Sequence, residues 1–561
     1  MTDAISAQQK ALFEGVLAEL GVASKVDVNR FANLVDMVEH SFDQYASLPA
    51  FSSLGKTLTY ADVDRLSGQF ASWIQHHTNM EPGDRIAVQM PNLIQYPVVV
   101  LGALRAGMVI VNTNPLYSAR ELEHQFNDAA VKVLVVQANV AQTVAGVLPR
   151  TPVEQVVITE LADLHSPLQR LLINTVAKYV KKMVPPFDIP AAGSLNAALK
   201  LGAQQPFQRV ESSRNELAML QYTGGTTGVS KGAMLSHGNL VSNVLQVDAL
   251  FDTHDLDDSA MVVVQPLPVY HIYAFMTSIY SMLNGSHMVF VPNPKDIASV
   301  VSVLRDYKPA MFCGLNTLFV ALCHNDEFKA LDFSALKVTL SGGMALSHAA
   351  AEHWHEVTGC QIAEGYGLTE TSPVVSSNPG NRRIIGTIGP PIPNTEVKVV
   401  DEQGTLLGVG EAGELLVRGP QVMLGYWQCP EETAKVMDAQ GWFATGDIAI
   451  IREDGFLQIV DRKKDMIVVS GFNVYPNELE DVLYEHDDVL ECAAVGIPHE
   501  VSGEVIKMFV VSESGELTAD EVREFCRRSL TAYKVPKLVE FRDELPKTNV
   551  GKILRRELRD N

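Results

Sequence analysis

The chain has 561 residues, too many for one ordinary domain and enough for two or three with substantial cores. With 47% apolar and 20% charged residues it has the composition of a soluble globular protein. A formal charge of −22 argues against nucleic acid as the main partner, since phosphate contacts need clustered Lys and Arg.

The start, Met1-Thr2-Asp3-Ala4, is acidic with no positive region ahead of an apolar core, so no signal peptide is expected. Residues 8–20 look helical and read as a surface appendage. The most apolar stretch, 98–111, carries Arg105 in its middle, so no membrane span is expected. Short β-branched runs at 132–136, 155–159, 261–265, 288–292, 310–314 and 337–341 read as strands. Helix-like stretches at 296–307 and 348–357 alternate with them. This alternation predicts an α/β fold of parallel-type sheets with covering helices. Six scattered cysteines with no zinc spacing look like reduced core residues of a cytoplasmic protein.

Between the early strands, residues 168–184 place Leu168, Leu171, Leu172, Val176, Val180 and Met183 on one helical face. Arg170, Lys178, Lys181 and Lys182 lie largely elsewhere. Such a helix either lies in the headgroup layer of an anionic membrane, here the inner face of the cell membrane, or packs on its own domain.

The apolar run 217–220 leads into Gln221-Tyr222-Thr223-Gly224-Gly225-Thr226-Thr227-Gly228-Val229-Ser230-Lys231-Gly232. Its glycines let backbone N–H groups approach an anion, its hydroxyls donate, and Lys231 adds a cation. A polyphosphate cradle in a strand-to-helix turn is the expected form. It is not a Walker A loop, because the Gly-x-x-x-x-Gly-Lys-Ser/Thr pattern is absent.

Beyond residue 385 the chain becomes turn-rich β. Gly408-Val409-Gly410-Glu411-Ala412-Gly413 matches a dinucleotide pattern, yet a strand follows it, so it reads as a turn. The charged run Asp461-Arg462-Lys463-Lys464-Asp465 sits between two apolar runs and reads as a joint. After it, a helix at 478–486, strands at 492–496 and 507–511, and a helix at 519–530 suggest a small α+β unit.

Seven motifs stand in one order: the glycine-rich loop, Pro268-Val269-Tyr270-His271, Glu364-Gly365-Tyr366-Gly367-Leu368-Thr369-Glu370, Thr445-Gly446-Asp447, the 461–465 run, Val469-Ser470-Gly471-Phe472-Asn473 and Pro546-Lys547-Thr548-Asn549-Val550-Gly551-Lys552. From about residue 30 to the C-terminus the chain resembles the adenylate-forming superfamily of acyl-CoA synthetases, luciferase and peptide-synthetase adenylation domains. The run Gly419 to Trp427 and the segment Tyr533-Lys534-Val535-Pro536-Lys537 are similar to bacterial long-chain fatty-acid–CoA ligases.

That resemblance implies a large N-terminal domain (1–460) for ATP and fatty acid, with a β-rich subdomain. It also implies a hinge (461–466) and a mobile C-terminal domain (467–561). The implied reaction forms acyl-AMP and pyrophosphate from a fatty acid and ATP, then passes the acyl group to CoA. Lys552 is the implied catalytic lysine, with Thr369 at the α-phosphate and His271 near the acyl carboxylate. Thr223, Gly224, Gly225, Thr226, Thr227 and Lys231 would hold phosphates. Gly343, Tyr366 and Gly367 would frame adenine, and Asp447 with Arg462 would hold the ribose. Glu370 would bind Mg²⁺. Lys464 is the expected pivot, Gly471 would approach the thiol channel, and Phe275 corresponds either to an acyl-tunnel gate or to an ordinary core residue. A homodimer is also in keeping with relatives. Alternatives are an acyl-AMP ligase serving a carrier protein, a luciferase-like oxygenase, and a membrane-associated fatty-acid uptake or binding protein.

Overall fold

The apolar runs at 132–136 and 155–159 form neighbouring parallel strands, Val131–Gln137 and Gln155–Thr159. They belong to a seven-stranded sheet in a computed structural model that describes residues 2–223, 230–251, 253, 261–470, 472–499, 502–548 and 552–559. Its order is Gly193–Ser194, Gln155–Thr159, Val131–Gln137, Arg85–Gln89, Val109–Asn112, Leu217–Thr223 and Lys231–Ser236. Every neighbouring pair is parallel except the last.

A second, eight-stranded sheet takes in the remaining predicted strands as Val262–Gln265, His287–Phe290, Met311–Gly314 and Val338–Ser341, followed by Ile362–Gly367. Its interior is parallel, and antiparallel strands close both edges. Strands buried on both faces need continuous apolar runs, which is why these segments lack strict alternation. One apolar core joins the sheets, with Val98, Leu101, Leu104 and Ile279 of the intervening helices packed between them. The predicted helices appear as Ile297–Tyr307 and His348–Thr358.

The segment after the glycine-rich loop departs from the expected strand-to-helix turn. Lys231–Ser236 is a strand, antiparallel to Leu217–Thr223 with Thr223 opposite Lys231, and the helix His237–Phe251 follows it. Its other side is held by the 424–427 segment: Met234 N donates to Gly425 O at 2.9 Å and Trp427 N to Gly232 O at 2.8 Å. Pairing on both sides, rather than local pattern, makes this short run a strand.

The N-terminal helix Thr2–Glu19 is no appendage, because Val16 and Leu17 pack against Leu250, Ile392 and Phe456. Residues 168–184 form the helix Pro167–Thr175 and a wider turn, Val176–Val180. Ala177 is buried and Val176 half-buried, but most of the apolar face is exposed. Leu168 is 78% exposed, Leu171 67%, Leu172 63% and Val180 71%.

The turn-rich region is a four-stranded antiparallel sheet of Glu396–Val400, Ala412–Arg418, Phe443–Ile451 and Leu457–Arg462. Its GxGxxG segment is a turn, with Gly408 N donating to Glu411 Oε2 at 2.6 Å. Past Arg462 comes a five-stranded sheet: Ile467–Val469, Phe472–Val474, Val489–His499, Gly503–Ser512 and Leu538–Phe541. The helices Pro476–Tyr484 and Ala519–Ser529 cover it around a separate core that includes Leu479, Cys492, Met508 and Val522. All six cysteines are free, and five are buried. Among the described residues no helix is long and apolar enough to cross a membrane.

Candidate active site

A cavity of about 1550 Å³ opens where the strand ends, the four-stranded sheet and residues 547–548 and 552–556 meet. Parallel strands point their C-terminal ends at such crevices. Here the strand Ile362–Gly367 delivers Tyr366 and Gly367, and a 3₁₀ turn, Thr369–Thr371, presents Thr369 and Glu370. Gly367 tolerates no side chain, since a Cβ there would lie 2.0 Å from Pro373 O. Gly343 has φ +84°, a left-handed conformation that favours glycine.

Asp447 and Arg462 are cross-strand partners of the antiparallel sheet. Their side chains meet, Arg462 Nε lying 3.0 Å from Asp447 Oδ1, and the Tyr366 hydroxyl donates to Asp447 Oδ2 at 2.5 Å. This buried carboxylate is therefore fixed by a cation on one side and an aromatic hydroxyl on the other. Burial pushes the Tyr366 phenol far above its ordinary pKa, so its proton stays to make that bond.

Glu370 accepts a hydrogen bond from Tyr426 at 2.8 Å. Burial raises its pKa, while the Tyr426 bond and the Arg462 charge pull the other way. A lone carboxylate at odds with its surroundings, facing space for phosphate oxygens, fits a hard cation such as Mg²⁺ held mainly by its substrate. Among the described residues no cluster of three metal-ligating side chains occurs.

Lys231 pairs with Glu432 and lies 5.3 Å from the Tyr426 ring centroid. Lys435 pairs with the same carboxylate, and the two lysines hold Glu432 down at about 2. Sequence reasoning missed Glu432 and the linking role of Tyr426. The adjacent Gly425-Tyr426-Trp427 run was a resemblance signal, but nothing local tied it to Lys231 or Glu370. Gly224, Gly225, Thr226, Thr227 and Gly471 lie outside the described residues.

Lys552 lines the cavity and is tied to Thr548: Thr548 N donates to Lys552 O at 2.7 Å, and Lys552 N to Thr548 Oγ1 at 3.1 Å. Burial, then the nearby Arg462 charge, lowers its amine to about 8. His271 lines the same cavity and caps the helix Ile272–Leu283, its Nδ1 accepting from Tyr273 N at 3.3 Å. That bond leaves the ring proton on Nε2. Burial, then Lys552, lowers His271 to about 4, so it is a neutral donor. Lys464 also lines the cavity, its pKa lowered chiefly by burial.

An apolar arm of the cavity runs between the helices His237–Phe251 and Ile272–Leu283, past Val244, Val247, Leu250, Met276 and Tyr280. Phe275 is 2% exposed and packs in the core.

The cavity thus combines an apolar arm, a buried Asp–Arg–Tyr cluster and a lysine side chain, the furnishing of an enzyme site. Residues 38–427 match the AMP-binding enzyme family and residues 478–552 match the AMP-binding enzyme C-terminal domain, so the chain belongs to this family. More particularly, it is 49% identical over 541 residues to a long-chain-fatty-acid–CoA ligase of Escherichia coli O157:H7, covering 96% of each chain. A long-chain-fatty-acid–CoA ligase of Bacillus subtilis is 36% identical over 94% of each chain. ATP-bound MatB of Rhodopseudomonas palustris matches with a TM-score of 0.81 at 28% identity, over 94% of this chain and 98% of that one.

Proposed function

We propose that the protein is an ATP-dependent long-chain fatty-acid–CoA ligase. It converts a fatty acid and ATP to acyl-AMP and pyrophosphate, then forms acyl-CoA and AMP. The observation that carries this reading is Lys552, held in the cavity beside the Asp447–Arg462 pair at the mouth of an apolar arm. A carboxylate attacking an α-phosphate brings two anions together, a repulsion of about 4 kcal/mol at ~4 Å and an effective dielectric near 20. A desolvated ammonium placed there offsets it as the transition state forms.

In this mechanism Asp447 accepts from the ribose hydroxyls while the pairing with Arg462 holds the carboxylate in place. Tyr366 presents its ring to adenine, and Gly343 and Gly367 leave room for the base. Thr369 donates to the α-phosphate, and Lys231 and Thr223 act on the outer phosphates, for which Glu432 releases the lysine. His271 donates from Nε2 to the acyl carboxylate and orients it toward phosphorus. Mg²⁺, held through Glu370, would neutralise phosphate charge when bound. The second half-reaction needs a thiol where Lys552 now sits, so residues 467–561 rotate about Lys464 within the 461–466 joint.

The exposed Leu168–Leu171–Leu172 face with Lys178, Lys181 and Lys182 supports a peripheral contact with anionic lipid. Such a contact would place a cytoplasmic enzyme where its water-insoluble substrate partitions. The experiment that tests the function is a carboxylic-acid panel assayed for pyrophosphate, AMP and thioester, with and without CoA. Oleoyl-CoA and AMP in equal amounts are expected; acyl-AMP that accumulates despite CoA would favour the carrier-protein ligase, and binding without pyrophosphate would favour an uptake protein.

A further inference from the structure

The helix Pro476–Tyr484 begins the covering layer of the C-terminal unit, and its own N-cap residue, Tyr475, makes no side-chain capping bond. Helix N-termini leave backbone N–H groups without intrahelical partners. The missing cap comes from across the joint. Asp461, at the end of the four-stranded sheet and 1% exposed, accepts from Asn477 N through Oδ2 at 2.8 Å. Its other oxygen accepts from Arg462 N at 2.6 Å.

The Asn477 side chain completes the connection in both directions. Its Nδ2 donates to Val460 O, on the large-domain side, at 3.2 Å. Its Oδ1 accepts from Arg555 Nη2 at 3.0 Å, and Arg555 lies three residues beyond Lys552. Arg555 is itself anchored on Glu480 at 2.7 Å. One residue thus links the strand leading into the joint to the segment that inserts the catalytic amine.

We propose that Asp461 and Asn477 form a latch that holds the C-terminal unit with Lys552 in the cavity, which makes both of them positioning residues for adenylation. The proposal rests on the rotation about Lys464 put forward above. Turning the unit away separates Asp461 from Asn477 N and returns both to water, so the latch stabilises one arrangement and not the other. Neither residue touches the reacting atoms.

The test uses the full-length protein with Asp461→Ala, Asn477→Ala and Lys464→Pro. ATP–pyrophosphate exchange with oleate reports adenylation, and oleoyl-CoA formed from supplied oleoyl-AMP reports the second step. Loss of one helix cap predicts exchange slowed about fivefold in Asp461→Ala. Asn477→Ala should slow it by a similar factor, and in both variants thioester formation should proceed at or above the wild-type rate. Asp461→Asn, which keeps one acceptor oxygen, should fall between. Equal loss of both half-reactions, or loss of neither, overturns the latch. Lys464→Pro separates the two layers of the argument. If it leaves both half-reactions untouched, the rotation reading fails; if it blocks only thioester formation while the latch variants behave as wild type, the latch alone fails.

Discussion

At the scale of single residues, the proposed chemistry turns on an amine whose proton is only moderately held. Burial brings Lys552 to about 8, so it is charged below that pH and loses its charge as pH rises through it. The kcat/KM for adenylation should therefore fall on the alkaline side of about 8, since that parameter reports the free enzyme. Lys552→Arg should move the limb out of range, whatever its effect on rate. A limb near 8 that persists in the arginine variant would assign it to another group. Lys552→Ala should slow acyl-AMP formation by at least about 100-fold, the scale of losing one electrostatic stabiliser. Thioester formation from supplied acyl-AMP should survive, and equal loss of both steps would refute this division of labour. Lys552, Asp447, Arg462 and Glu370 were legible as motif positions. Glu432 was not, because its link to Lys231 joins segments 201 residues apart and leaves no trace in either.

At the scale of elements, the helices His237–Phe251 and Ile272–Leu283 bound the apolar arm proposed to take the acyl chain, and the helix Pro167–Thr175 bears the exposed apolar face. Val247→Phe should shorten the accepted chain. With about 0.8 kcal/mol per buried methylene, two displaced methylenes lower kcat/KM for oleate about tenfold and spare octanoate. An unchanged chain-length profile would place the acyl chain elsewhere. Replacing Lys178, Lys181 and Lys182 with Gln should weaken binding to vesicles containing anionic lipid by about 100-fold, at roughly 1 kcal/mol per lysine. Partitioning that ignores the three charges would remove the membrane contact. The amphipathic pattern of 168–184 was readable from side-chain spacing, but spacing does not say which body an apolar face meets. Packing answers that, and here most of the face is left exposed among the described residues.

At the scale of the whole molecule, the proposed mechanism has one cavity serve two half-reactions, and Lys464→Pro should separate them by fixing a backbone angle. Acyl-AMP formation is expected to continue while CoA-ester turnover falls; normal turnover would count against a swing at this joint. The α/β class and the parallel strands were settled locally, because burial on both faces requires unbroken apolar runs and those runs are visible in one dimension. The motifs were equally plain, because their order and spacing carry the resemblance to a known family, and that resemblance implied their roles. Three features came only from folding. Lys231–Ser236 became a strand because neighbours on both sides supplied its hydrogen bonds. The N-terminal helix became core because Phe456 and Leu250 lay open to it. The cap on Pro476–Tyr484 came from Asp461 rather than from Tyr475. Each depends on partners far away in the chain, and a hydrogen bond or an apolar contact is decided by distance in space.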